Sequence, residues 1–233
     1  MRRLRTFLHA ATVVALALGS FAITAASAVY FGEEIAPFVL EKLPLPLEDV
    51  WMLALRVHVL AAAVCLPGCL VLFSGTILRR APRLHRWLGR LVAALVLLAL
   101  VPSGFYLSLF AKGGLPSTLG FMASGAIVSF GMVRAIAAAR ARRFAVHRRW
   151  ALHVLAQLSV AVTSRALLFA FDAAAVDEEL AYVVALWLPV AASFLLVELV
   201  SRRTVTSNVT RRSHEAPVDP RRHHRDPRPA RTS

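Results

Sequence analysis

Six runs of apolar residues, separated by charged or Pro- and Gly-rich connections, constrain this chain more than any other feature. They cover residues 7–30, 51–78, 91–110, 119–139, 150–171 and 182–200. Each run has roughly 19 to 28 residues. At 1.5 Å per residue, a helix of that length crosses a hydrocarbon core of about 30 Å. A backbone in lipid must satisfy its own N–H and C=O groups, so a spanning segment is either a helix or a strand of a closed barrel. None of the runs alternates with a period of two, which leaves helices. The expected fold is all-α, a polytopic transmembrane helical bundle of six spans. Composition agrees, since 58% of the residues are hydrophobic, more than the roughly half usual in soluble domains.

A net charge of +14 suggests a nucleic-acid binder until the charges are placed. Of the 27 Lys and Arg, three are Arg2, Arg3 and Arg5, five lie in 79–90, six in 134–149, and nine from Arg202 onward. Only Lys42, Arg56, Lys112 and Arg165 lie elsewhere. Nine of the 13 acidic residues fall in 33–49 or 172–179. Basic and acidic connections therefore alternate, and an excess of Lys and Arg in short loops marks the cytoplasmic side. With six spans, both chain ends fall on that side, and both ends are themselves basic. The charge is a topology signal with a secondary attraction for anionic lipid. No nucleic-acid-binding motif accompanies it. Two cysteines, Cys65 and Cys69, both within an apolar run, exclude a disulfide framework.

The expected organisation is an N-terminal anchor with an acidic outer connection (1–50), a four-helix core (51–172), a sixth span (173–200) and a disordered basic cytoplasmic tail (201–233). The Arg-rich start and Ala26-Ser27-Ala28 resemble a secretory signal with its cleavage site. The first apolar run is longer than a signal core, which favours a retained anchor. The tail carries His214, His223 and His224 and reads as a solvated basic segment, or as a weak metal binder.

One motif recurs. Leu84-His85-Arg86-Trp87 precedes the third span, and Val146-His147-Arg148-Arg149-Trp150 precedes the fifth. Spans two–three and four–five thus read as two helical hairpins related by duplication in one orientation.

The stretch from His58 to Leu168 resembles bacterial membrane proteins grouped as domain of unknown function 2306. The resemblance is carried by His58, His85-Arg86-Trp87-Leu88-Gly89-Arg90, Gly113-Gly114, Gly120-Phe121, His147-Arg148-Arg149-Trp150 and Arg165. That family usually has Met where this chain has Ala151, and often Arg where it has His153, so the resemblance gives His153 no role. It implies a helical membrane bundle in a bacterial inner membrane and no particular activity. A more distant similarity, at the level of fold, is to small b561-like membrane cytochromes.

Several residues could carry chemistry. His85 and His147 sit at similar depth at the cytoplasmic ends of two spans, as the two axial ligands of a b-type haem would. His153 is an alternative ligand, about 9 Å deeper on an ideal helix. Arg86, Arg90, Arg148 and Arg149 could pair with haem propionates. The competing reading makes these residues interface anchors, with Trp87 and Trp150 as headgroup-level rings. With a haem, a quinone or another membrane subunit would be the redox partner. Inside the outer half of the membrane, His58 and Arg165 are polar residues at a costly depth. Asp172, seven residues beyond Arg165, is its expected partner, and the three could form a ligand pocket for a small solute or lipid, or an internal hydrogen-bond network. Cys65 and Cys69 share a face with His58 and read mainly as packing residues, beside Pro67, which should kink its span.

Overall fold

The computed structural model describes residues 2–32, 37–40, 42–45 and 47–214. Six of its helices are long and apolar enough to cross a membrane. They are α1 (Arg2–Ala26), α2 (Glu48–Leu72), α3 (Pro82–Ser108), α4 (Gly114–Arg140), α5 (Phe144–Ala173) and α6 (Glu178–His214). No strand occurs among the described residues. The protein is an all-α transmembrane bundle, as the apolar runs require.

The helices start earlier than the apolar runs, most clearly at the basic connections. Helix α3 begins at Pro82 and α5 at Phe144, whereas the runs begin at residues 91 and 150. A hydropathy window penalises each Arg equally, but a helix can place Arg83, Arg86 and Arg90 in the open while burying Val92. Pro82 suits the first turn because its fixed φ is already helical and its missing N–H has no intrahelical partner there. Helix α6 likewise runs past the expected end at Val200 to His214. Residues 215–233, with His223 and His224, lie outside the described residues, as do residues 33–36, 41 and 46 of the acidic first connection. The chain divides into two units, Met1–Val197 and Glu198–Ser233. Everything below concerns the first.

Backbone conformation sets the turns. Gly113 and Gly114 take φ of 79° and 62° ahead of α4, a left-handed conformation that glycine adopts without penalty. Helix α4 ends with Arg142 at φ 56°, and the Arg143 N–H closes back onto Ala138 O at 2.8 Å. Helix α5 ends the same way at Ala175, φ 54°, with the Val176 N–H on Phe171 O at 3.0 Å. Both are left-handed helix caps built without glycine.

Helices α2, α3, α4 and α5 form a four-helix ring. Helix α2 packs on α3 and α5, and α4 also packs on α3 and α5. Helices α3 and α5 are therefore diagonal partners, as are α2 and α4. Each of the four contributes to one core: Cys65 and Cys69 from α2, Val92 and Val96 from α3, Val128 and Met132 from α4, Val154 from α5. Small residues permit the close approach, as is common where helices pack in lipid. A Cβ on Gly125 would lie 2.6 Å from Cε1 of Phe105, and one on Gly68 2.7 Å from Cγ2 of Val92. Helix α1 packs outside the ring on α2 and on the second half of α5, where Gly19 meets Val162. Helix α6 lies against α4 and α5, with Leu186 over Gly120. The connections at 73–81 and 141–143, with Arg79, Arg80, Arg142 and Arg143, mark the basic face, and Glu48, Asp49, Asp177, Glu178 and Glu179 mark the opposite, acidic face.

Candidate functional site

His85 and His147 occupy equivalent places. Each is the fourth residue of its helix, counted from Pro82 and from Phe144. Each donates its backbone N–H back to the residue before the helix, Ala81 O at 3.0 Å and Arg143 O at 2.9 Å. The two histidines thus hold matching positions on diagonal helices of the ring. His147 Nδ1 lies 2.9 Å from Ala135 O of α4. A carbonyl only accepts, so Nδ1 carries the hydrogen, and a neutral ring keeps a lone pair on Nε2. The Nδ1 of His85 is buried and meets no hydrogen-bond partner among the described residues.

His153 is elsewhere. It is fully buried, with its ring between Trp150, at 5.4 Å, and Phe194 of α6, at 5.0 Å. Six residues turn a helix by about 240°, so it does not share the face of His147. The tryptophans do carry arginines. Arg90 lies over Trp87 at 5.3 Å, and Arg134 and Arg149 each lie 5.8 Å from the Trp150 ring. Cys65 and Cys69 are buried in the core as free thiols. Among the described residues no cluster of three or more His, Cys, Asp or Glu is arranged to hold a metal ion.

Toward the acidic face, His58 docks on an irregularity of α3. Residues Val96–Leu100 form a π-helical turn. Pro102 lacks the N–H that would close onto Leu98 in an α-helix, and a one-residue bulge accommodates this. Ser103 donates to Ala99 O at 2.6 Å. His58 Nδ1 lies 3.1 Å from Leu100 O and 3.2 Å from Ser103 Oγ. Its Nδ1 therefore carries the hydrogen, and Gly104 leaves room for the ring, because a Cβ there would lie 3.0 Å from His58 Cε1.

Arg165 of α5 lies toward this same face, as do His58 of α2, Tyr182 of α6 and Tyr30, just beyond α1. Asp172 is not part of the set. It is exposed, and no ion pair joins it to Arg165 among the described residues. Seven residues put the two on one face, but helical side chains lean toward the N-terminus. Arg165 follows that lean, with Nη1 donating to Ala161 O at 2.9 Å, and so extends away from Asp172.

A third polar feature is Gln157, the one glutamine in the chain, buried where α4, α5 and α6 meet. Its Oε1 accepts from Ser124 Oγ at 3.0 Å, and its Nε2 donates to Val190 O at 3.1 Å and to Ser193 Oγ at 2.9 Å. A lone amide inside an apolar run is the sequence signal for such a site.

Residues 55–201 match the family described as Predicted membrane protein (DUF2306). The chain belongs to this family. The matched segment contains His58, His85, His147, Gln157 and Arg165, and it leaves out α1. Within DUF2306, then, this chain combines a four-helix ring, two further spans and polar groups near both faces. No curated protein and no solved structure matches the chain.

Proposed function

We propose that the protein is a small membrane redox protein that holds one b-type haem at its basic face, between His85 of α3 and His147 of α5, with that face and both chain ends cytoplasmic. The observation that carries the reading is the matching position of two histidines at the basic ends of diagonal helices of a four-helix ring. The donor set suits the group. Iron in a b-type haem takes two neutral imidazoles. His147 offers Nε2 while Ala135 O holds its other nitrogen, the second-shell arrangement that fixes and strengthens a histidine ligand. His85 has an orphaned buried nitrogen, and a buried polar atom of this kind calls for a partner from outside the chain.

The electrostatics favour a dianionic macrocycle over a bare cation. No acidic residue occurs between Asp49 and Asp172, while Arg86, Arg90, Arg148 and Arg149 are exposed close to the two histidines. Guanidinium groups bind carboxylates such as propionates in bidentate fashion. Cys69, Val92 and Val96 fill the ring interior below this level, which confines the group to the mouth. Bound there, a haem supplies one-electron transfer, with a quinone or a neighbouring membrane subunit as its redox partner.

The test is an oxidised and a dithionite-reduced absorption spectrum of detergent-purified protein, with a haem assay, from cells supplied with haem precursor. Near-stoichiometric haem is expected, lost in His85→Ala and in His147→Ala. A helical but colourless wild-type protein would sink the assignment.

A further inference from the structure

Arg165 lies eight residues before the end of α5 at Ala173, which is about 12 Å of helix. An arginine at such a depth usually extends along its stem toward the nearer aqueous phase. Here it does the opposite. Its Nη1 donates to Ala161 O, one turn back toward the basic face, so the guanidinium is directed toward the middle of the bilayer. The lean of helical side chains explains the direction, and the direction keeps the charge away from the nearer water.

No carboxylate pairs with it among the described residues. The stretch from residue 50 to residue 171 has no acidic residue, and Asp172 forms no ion pair with it among the described residues. A guanidinium has five N–H donors in a planar fork, and the Ala161 carbonyl occupies one. The side chain is nevertheless reachable. Ala161, Arg165 and Phe169 are spaced four apart along one face of α5, and all three are exposed, Phe169 at 76%. The charge sits in the middle of an apolar, lipid-facing stripe.

We propose that this stripe is a binding site for an anionic amphiphile, whose phosphate or carboxylate headgroup reaches Arg165 from the acidic face and whose apolar tail runs past Ala161 along the lipid-facing surface toward the bilayer centre. An uncompensated charge at membrane depth is costly, and the planar fork matches both headgroups in bidentate fashion. A soluble anion would have to cross apolar surface to arrive, whereas an amphiphile is delivered by the bilayer itself. The site lies near the acidic face, on α5 well beyond His147, and stands whether or not a haem binds.

The experiment counts bound ligand by native mass spectrometry on protein purified in a non-ionic detergent, with dodecyl phosphate and with inorganic phosphate as probes. Wild type should bind one dodecyl phosphate, and Arg165→Gln should bind it at least about tenfold more weakly. Arg165→Lys keeps the charge without the fork and should fall between the two. Arg83→Gln, at the basic face, should match wild type. Removing a charge from a lipid-facing position does not threaten insertion, and helical circular dichroism checks each variant. Equal binding by wild type and Arg165→Gln overturns the site. Inorganic phosphate binding as tightly as dodecyl phosphate overturns the amphiphile as its occupant.

Discussion

Replacing Gln157 with Leu tests how the sixth helix is held. The amide is 3% exposed and makes three hydrogen bonds between helices, at 3.0, 3.1 and 2.9 Å, to Ser124, Val190 and Ser193. Bonds of this kind in membrane proteins average about 0.6 kcal/mol and reach about 1.7, so three contribute about 2 kcal/mol. Leu is close to Gln in volume, which keeps the packing change small. Ser193 softens the loss, because its hydroxyl also donates to Val190 O at 3.1 Å within α6. The expected destabilisation is therefore between about 1 and 2 kcal/mol, up to roughly thirtyfold in the unfolding equilibrium. Titration of purified protein with SDS in mixed micelles, followed by helical circular dichroism, reads it directly. A double-mutant cycle with Ser124→Ala should return a coupling of about 0.6 kcal/mol. An unchanged midpoint in Gln157→Leu, together with zero coupling, would refute the reasoning and leave apolar packing alone between α5 and α6.

Three further outcomes follow from the packing, the helix caps and the charge pattern. Gly125→Ala should cost about 1–3 kcal/mol in the same titration, since the new Cβ would lie 2.6 Å from the Phe105 ring, which is half-buried and packed against the core of the ring of helices, and must shift to make room. Ala175→Gly should stabilise by about 1 kcal/mol, because Ala175 holds φ 54° at the end of α5 and glycine carries no left-handed penalty. Single cysteines introduced at Arg83 and Arg142 should be protected from a membrane-impermeant maleimide in intact cells, while those at Lys112 and Asp177 should label. Cys65 and Cys69, being buried, give a low background, and the reverse pattern would invert the proposed orientation.

The bundle is legible in the sequence because lipid forces a spanning backbone to be helical and each run is long enough to span. Helix starts are less so, since hydropathy averages over a turn whereas a helix sorts Arg86 and Val92 onto different faces. The matching positions of His85 and His147 are suggested by the repeated His-Arg-Trp motif, and each is the fourth residue of its helix. His58 could be placed at a costly depth, but its partner could not. That partner is the Leu100 carbonyl at the end of a π-helical turn, and the clue was Pro102 followed by Ser103 and Gly104. Arg165 with Asp172 shows the limit of spacing arguments. Seven residues align two positions on a face without saying which way either side chain extends, and the lean toward the N-terminus separates this pair. Gln157 was readable as the sole glutamine inside an apolar run, yet only the packed structure shows the three helices it joins.

The four cations that lie outside the terminal and basic segments show why Arg165 stands apart. Lys42 donates to Phe110 O, at the end of the third span. Arg56 donates through Nε to Tyr30 O at 3.0 Å, and Lys112 pairs with Glu178. Each of these three reaches another element near the acidic face, so its charge remains close to water or meets an acid. The arginines of the basic connections are largely exposed, and solvent and lipid headgroups can screen them. Arg165 alone of the four bonds back along its own helix, toward the interior of the bilayer. If that position served only to anchor α5, the side chain would gain more by turning toward the acidic face, where water and headgroups are nearer. A guanidinium held inward within an acid-free stretch is stable when its counter-charge comes from outside the chain, and on a lipid-facing stripe the available source is an amphiphile.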